Sequence, residues 1–153
     1  MGMLSRRAKY ALRALIFLAQ NRGKGPIQIR DISEQLKISR KFLEAILLEL
    51  RNGGILQSRK GKEGGYLLDR SPDTITFGKI MRFIDGSFAA VPCIRRDGYA
   101  RCDDCPDEKT CVIRCVMKEV RDATAKIVDE TTLEQLVSKA SQLANSVDVE
   151  YHI

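Results

Sequence analysis

"ISRKFLEAILLELRNGGILQSRKGKEGGYLL", residues 38–68, runs from a helical pattern straight into a hairpin pattern. Phe42, Leu43, Ile46, Leu47 and Leu50 recur at spacings of three and four, which predicts a helix from about Ser39 to Asn52 with those five side chains turned inward. Ser39 offers the N-cap oxygen and Gly53-Gly54 stops the helix. Arg40, Lys41, Glu44, Ala45 and Leu48 fall on or near the opposite side. "GILQS" and "GGYLLD" then flank "RKGKE", the pattern of a β-hairpin with a cationic tip.

Upstream, "AKYALRALIFLAQ" places Ala8, Ala11, Leu12, Leu15, Leu18 and Ala19 on one stripe of an amphipathic helix, which "NRGKGP" ends. Ile29, Ile32 and Leu36 mark a short second helix, and "KIS" turns the chain into the third. Helix, helix-turn-helix and basic hairpin in this order describe a winged helix-turn-helix. Downstream, a fourth helix starts near Thr76. Ile113, Val116, Val120, Ala123 and Ile127 repeat at 3, 4, 3, 4, a seam suited to a second long helix and so to a homodimer. "TTLEQLVSKASQLA" forms a last helix capped by Thr131 or Thr132, with a loose tail. The fold class is therefore mainly α with a small β-hairpin wing, divided into a DNA-binding winged domain (1–88), a cysteine-rich loop (89–111), a dimerisation helix (112–130) and a C-terminal helix and tail (131–153).

Charge supports this organisation. Residues 1–70 carry a net +9 and residues 71–153 a net −3, within the overall +6. A basic half that overlaps a helix-turn-helix points to double-stranded DNA; a generic solvated surface is the plain alternative. Ser39, Arg40 and Lys41 stand at the start of the third helix, where side chains reach the DNA at the major groove, and Arg59, Lys60 and Lys62 on the wing meet phosphates or the adjacent minor groove. No run approaches the ~20 apolar residues of a membrane span, so a cytoplasmic protein is expected.

All five cysteines lie between residues 93 and 115, spaced C-x8-C-x2-C-x5-C-x3-C. In a reducing cytosol such a cluster reads as metal or redox ligands, not as a disulfide framework. The candidates are an iron–sulfur cluster, [2Fe–2S] or [4Fe–4S], or a tetrahedral zinc; the single C-x2-C knuckle, Cys102 with Cys105, leans toward iron–sulfur. No enzyme constellation appears. The sole histidine, His152, sits in the tail, and Gly64-Gly65 reads as turn geometry at the wing.

"MLSRRAKYALRALIFLA", the 38–68 stretch and "TCVIRCVMKEVRDA" together resemble the Rrf-two family of bacterial regulators, whose branches include IscR and NsrR. The resemblance implies a homodimer with crossing long helices, winged domains on a palindromic operator and, in many members, an iron–sulfur cluster that modulates DNA binding. It matches Cys93, Cys105 and Cys111 to the family's three cysteines, with a longer first gap. The histidine ligand of the IscR branch falls on Arg114 and the acidic ligand of the NsrR branch on Lys9, and neither residue binds iron. Cys102 is then the natural fourth ligand; Cys115 is the reserve, or else packs in the helix seam. Glu44 matches a family position where glutamate accepts from cytosine N4 or repels other sequences, against a simple pair with Arg40. The function implied is a transcriptional regulator sensing redox state, nitric oxide or iron. The alternative is a cluster-free or zinc-binding repressor under thiol or partner control, and an interaction module that does not bind DNA is the third.

Overall fold

The computed structural model describes residues 4–150. Six helices and one hairpin follow in the order α1 (Arg6–Gln20), α2 (Ile29–Leu36), α3 (Arg40–Asn52), β1 (Leu56–Arg59), β2 (Gly65–Leu68), α4 (Phe77–Asp85), α5 (Val112–Glu130) and α6 (Leu133–Glu150), with short 3-10 turns at Pro72–Thr74 and Pro92–Ile94. His152 lies outside the described residues.

The central helix is α1, which packs against α2, α3, α4, α6 and β2. Ala11, Leu12, Ala14, Leu15 and Leu18 sit in the core with Ile32, Leu43, Ile46, Leu47 and Leu50, while Ala19 stays half-buried. Ser5 caps α1 by accepting from the Ala8 amide at 3.0 Å, and its own hydroxyl and amide donate to Asp85 at 2.5 and 2.9 Å. The start of α1 is thereby tied to the end of α4.

Phe42 departs from the inward set: it is 41% exposed and stands edge-on to Tyr10, with ring centroids 5.5 Å apart. It lies at the margin of the α3 stripe, where the neighbouring surface is α1 and not the core. The wing is also shifted from the sequence reading. Pairing runs from Leu56 with Leu68 to Arg59 with Gly65, so Arg59 belongs to the strand and the tip begins at Lys60. Ile55, placed in the strand by the sequence, instead donates its amide to the Leu50 carbonyl at 3.0 Å and closes α3.

Ile27 exchanges two backbone hydrogen bonds with Tyr66, at 2.9 and 2.8 Å, and makes the wing a local three-segment sheet. Gly65, at φ +144°, is required there, because a Cβ would fall on the Ile27 carbonyl. A Cβ at Gly64 would likewise meet the Arg59 carbonyl. The glycine pair is the close approach that seats the wing.

The C-terminal helices return to the winged core. Phe77 N–H donates to Thr131 O at 2.8 Å and Leu133 N–H to Ile75 O at 2.7 Å. Thr132 caps α6: its hydroxyl accepts from the Gln135 amide at 3.2 Å and the Gln135 side chain accepts from the Thr132 amide at 2.9 Å, a reciprocal box. Leu133 is completely buried in the same core as α1. Deleting a fully buried leucine side chain costs about 2–5 kcal/mol. Leu133→Ala is therefore predicted to lower urea-unfolding stability by that amount, while Lys139→Ala, an exposed site on the same helix, stays within about 0.5 kcal/mol of wild type.

Candidate nucleic-acid interface and cysteine site

Residues named by the sequence as DNA contacts are all exposed: Ser39, Arg40, Lys41 and Glu44 at the start of α3, and Arg59, Lys60 and Lys62 on the wing. Ser39 Oγ accepts from the Phe42 amide at 3.4 Å and is used as the cap. Arg40 Nε and Glu44 Oε1 are 3.7 Å apart with both side chains mostly exposed, a pairing worth only a few tenths of a kcal/mol. Glu44 thus has a helix-pair role that costs little to abandon.

The supports of these elements were not read from the sequence. Arg13 donates to the Leu36 carbonyl at 2.7 Å, closing α2 just before Lys37 takes the left-handed turn at φ 53°. Tyr10 meets Phe42 on α3, and Arg13 sits 5.9 Å over the Tyr10 ring. The "YALR" segment therefore places Ala11 and Leu12 in the core and uses Tyr10 and Arg13 to fix both helices of the turn. Gln28 donates to the Lys62 carbonyl at 2.7 Å and ties down the wing tip. The available signal was Tyr10 and Arg13 one turn apart; Gln28 carried none.

The cysteines occupy the irregular segment between α4 and α5 and the first turn of α5. Cys93 is buried, 4% exposed, on the Pro92–Ile94 turn. Cys102 and Cys105 are half-buried on a tight turn closed by Cys105 N–H to Cys102 O at 3.1 Å. Cys111 is the N-cap of α5, its sulfur accepting from the Arg114 amide at 3.4 Å. Burial pushes the Cys93 thiol up, its hydrogen bond with Cys102 adds to this, and the Arg114 cation opposes it. Desolvation also raises the Cys105 thiol, with the neighbouring Cys111 and Cys102 contributing. Among the described residues no three His, Cys, Asp or Glu side chains converge closely enough to hold a single metal ion. Cys115 is exposed on α5, as are the seam residues Ile113 and Val116 beside it.

The faces of α5 differ. Ala125 is buried and Arg121 nearly so, toward α4 and the Pro92–Ile94 turn. Val112, Ile113, Val116, Val120 and Ile127 point elsewhere and are between 49% and 75% exposed. Near its C-terminal end Asp129 receives both nitrogens of Arg82 on α4, at 2.5 and 2.8 Å. Gly78 makes room for this, since a Cβ there would collide with Asp129.

A cationic helix-turn-helix with a docked wing, braced by α1, is a DNA-binding fold. The sequence profile of the Rrf2 family, described as an iron-dependent transcriptional regulator, matches residues 4–139. The chain is 36% identical over 149 residues to an Rrf2-like HTH-type transcriptional regulator of Rhodobacter capsulatus, covering 95% of this chain and 99% of that one. Its backbone superimposes on CymR, the global cysteine regulator of Bacillus subtilis, with a TM-score of 0.76 at 33% identity, covering 91% of this chain and 98% of the other. T. potens IscR gives a TM-score of 0.70 at 28% identity, with 90% and 87% covered. This chain belongs to the Rrf2 (Rrf-two) family and is a transcriptional regulator, not an enzyme. No helix among the described residues is long and apolar enough to cross a membrane.

Hydrogen bonds from Arg82 hold the Asp129 carboxyl below its ordinary 3.8. A depressed carboxylate contributes stability that is complete above its unfolded value and is lost as pH falls through the lowered folded value. The melting temperature is therefore predicted to fall between about pH 5 and about pH 3, and Asp129→Asn to flatten that slope in calorimetry while lowering the melting temperature at neutral pH.

Proposed function

We propose that this regulator acts as a homodimer on a palindromic operator, and that a cysteine-ligated iron–sulfur cluster, [2Fe–2S] or [4Fe–4S], sets its affinity. The observation that carries this reading is the irregular segment between α4 and α5, which carries Cys93, Cys102, Cys105 and Cys111 and ends with Cys111 as the cap of α5. Soft thiolates suit iron–sulfur centres, and the irregular spacing with a single C-x2-C knuckle suits such a centre better than a tetrahedral zinc. Arg114 stands beside the set but donates to it, so the fourth ligand is Cys102, with Cys115 one turn along α5 in reserve. When bound, such a cluster supplies a centre that oxidants, nitric oxide or iron scarcity alter.

Dimerisation is supported by the uncovered valine and isoleucine line on α5, which lies away from the face packed on its own domain. Arg40, Lys41 and Glu44 then read the major groove while Arg59, Lys60 and Lys62 neutralise phosphate. Lys60→Ala is predicted to weaken all duplexes alike and to reduce the salt slope by about one, and Glu44→Ala to broaden the set of operators selected from a random library. An unchanged motif after Glu44→Ala leaves that residue only its pairing with Arg40.

A second reading is favoured by the likeness to CymR, a cysteine regulator. Here the same cysteines answer oxidants or a partner directly, without metal. Anaerobic purification separates the two. The cluster reading predicts a brown protein absorbing near about 400 nm, with iron and sulfide in equal amounts, and loss of both after Cys105→Ser. Colourless, iron-free protein whose operator binding still responds to oxidant establishes the second reading instead.

A further inference from the structure

Three arginines of the cysteine region spend their side chains on main-chain carbonyls. Arg101 donates to Cys105 O at 2.8 Å and to Pro106 O at 3.0 Å. Arg114 Nε donates to Cys93 O at 3.4 Å, and Arg121 donates to Ile94 O. Arg114 and Arg121 lie two helical turns apart on one face of α5, and their targets are consecutive carbonyls of the Pro92–Ile94 turn. That turn, which carries the only fully buried thiol, is docked on α5 by two guanidinium bonds. Arg121 is only 15% exposed, and its other donors are fixed on Asp122 at 2.6 and 2.8 Å, so its orientation is locked. Arg114 also contributes its amide to Cys111 Sγ. It thus hydrogen-bonds to both the first and the last cysteine of the proposed ligand set.

We propose that Arg114 and Arg121 are positioning residues of the thiol site: they hold Cys93 beside the other thiols, and the Arg114 cation offsets the negative charge of an assembled thiolate set. The second clause rests on the cluster reading above; the first does not. Charge-assisted bonds to carbonyls are stronger than neutral ones. A guanidinium keeps its charge at every working pH, so the compensation is constant. The position that resembles a histidine ligand in other family members thus serves here from outside the ligand set. A bare surface role fails to explain why two arginines spaced by seven address adjacent carbonyls on either side of one peptide link.

The test uses the full-length, reduced, metal-free protein and follows iodoacetamide labelling of each cysteine by peptide mass mapping. Arg121→Ala is the decisive variant, because it leaves the Arg114 cation, which itself affects thiol reactivity, in place. Cys93 is expected to label about tenfold faster than in wild type, while Cys115 is unchanged. Arg121→Lys, which keeps the charge and loses the fork, guards against wholesale unfolding and is expected to give a smaller rise. Cys93 labelling within twofold of wild type in folded Arg121→Ala overturns the positioning role. For the charge role, reconstituted Arg114→Ala is expected to show a lower midpoint potential than wild type and Arg114→Lys the wild-type value; equal shifts in both, or none, overturn it. If wild-type protein takes up no cluster, the cluster reading and the charge clause fall together, and labelling alone decides the positioning clause.

Discussion

Two backbone hydrogen bonds, Phe77 N–H to Thr131 O and Leu133 N–H to Ile75 O, pin the link between α5 and α6 to the start of α4. Everything beyond the winged domain hangs from that crossing. Because the adjacent Leu133 is sunk in the core, the C-terminal helices cannot swing away without opening the hydrophobic interior. The crossing also fixes one end of α5, leaving its other end to be set by the cysteine segment. Asp129 and Arg82 reinforce the fixed end, and Gly78 permits their approach.

That arrangement gives α5 a foot fixed on the core and a head that meets the cysteine segment. Its head is capped by Cys111 and joined to the Pro92–Ile94 turn through Arg114 and Arg121. A change in what the thiols bind therefore bears on the helix directly, with no flexible tether between. The apolar line of the same helix is the surface proposed for the partner, and in the proposed dimer movement at the head would change the separation of the two winged domains. In a dimer on a two-fold operator that separation must match the spacing of half-sites. The coupling proposed between thiol chemistry and DNA affinity needs only this one helix.

Local features were legible in the sequence and long-range ones were not. Apolar spacing gave α1, α3 and α5, and paired glycines marked the wing, because helix period and turn stereochemistry act within a few residues. Phe42 was misjudged at the stripe margin, where the neighbour that decides burial, Tyr10, lies on another helix. Thr132-Leu-Glu-Gln contained the beginning of a capping box, and Gln135 made the choice between Thr131 and Thr132, yet the Ile75–Leu133 bond it leads into leaves no periodic trace. The cysteines announced a thiol site by number and spacing. The burial of Cys93 did not follow from spacing, since it depends on how the Pro92–Ile94 turn docks, and that turn is held by Arg114 and Arg121, which in sequence are two charges among many. Arg114 was visible only as a departure from a ligand position.

The central claim is that the state of the thiol site reaches DNA through α5. Its most direct test is the fluorescence anisotropy of a labelled duplex, selected from a random library, titrated at one fixed salt concentration with anaerobic cluster-loaded protein and with the same preparation after the metal has been stripped. Coupling of ordinary allosteric size, about 1–3 kcal/mol, predicts affinities that differ by roughly 5–150-fold. Superimposable binding curves for loaded and stripped protein would contradict it.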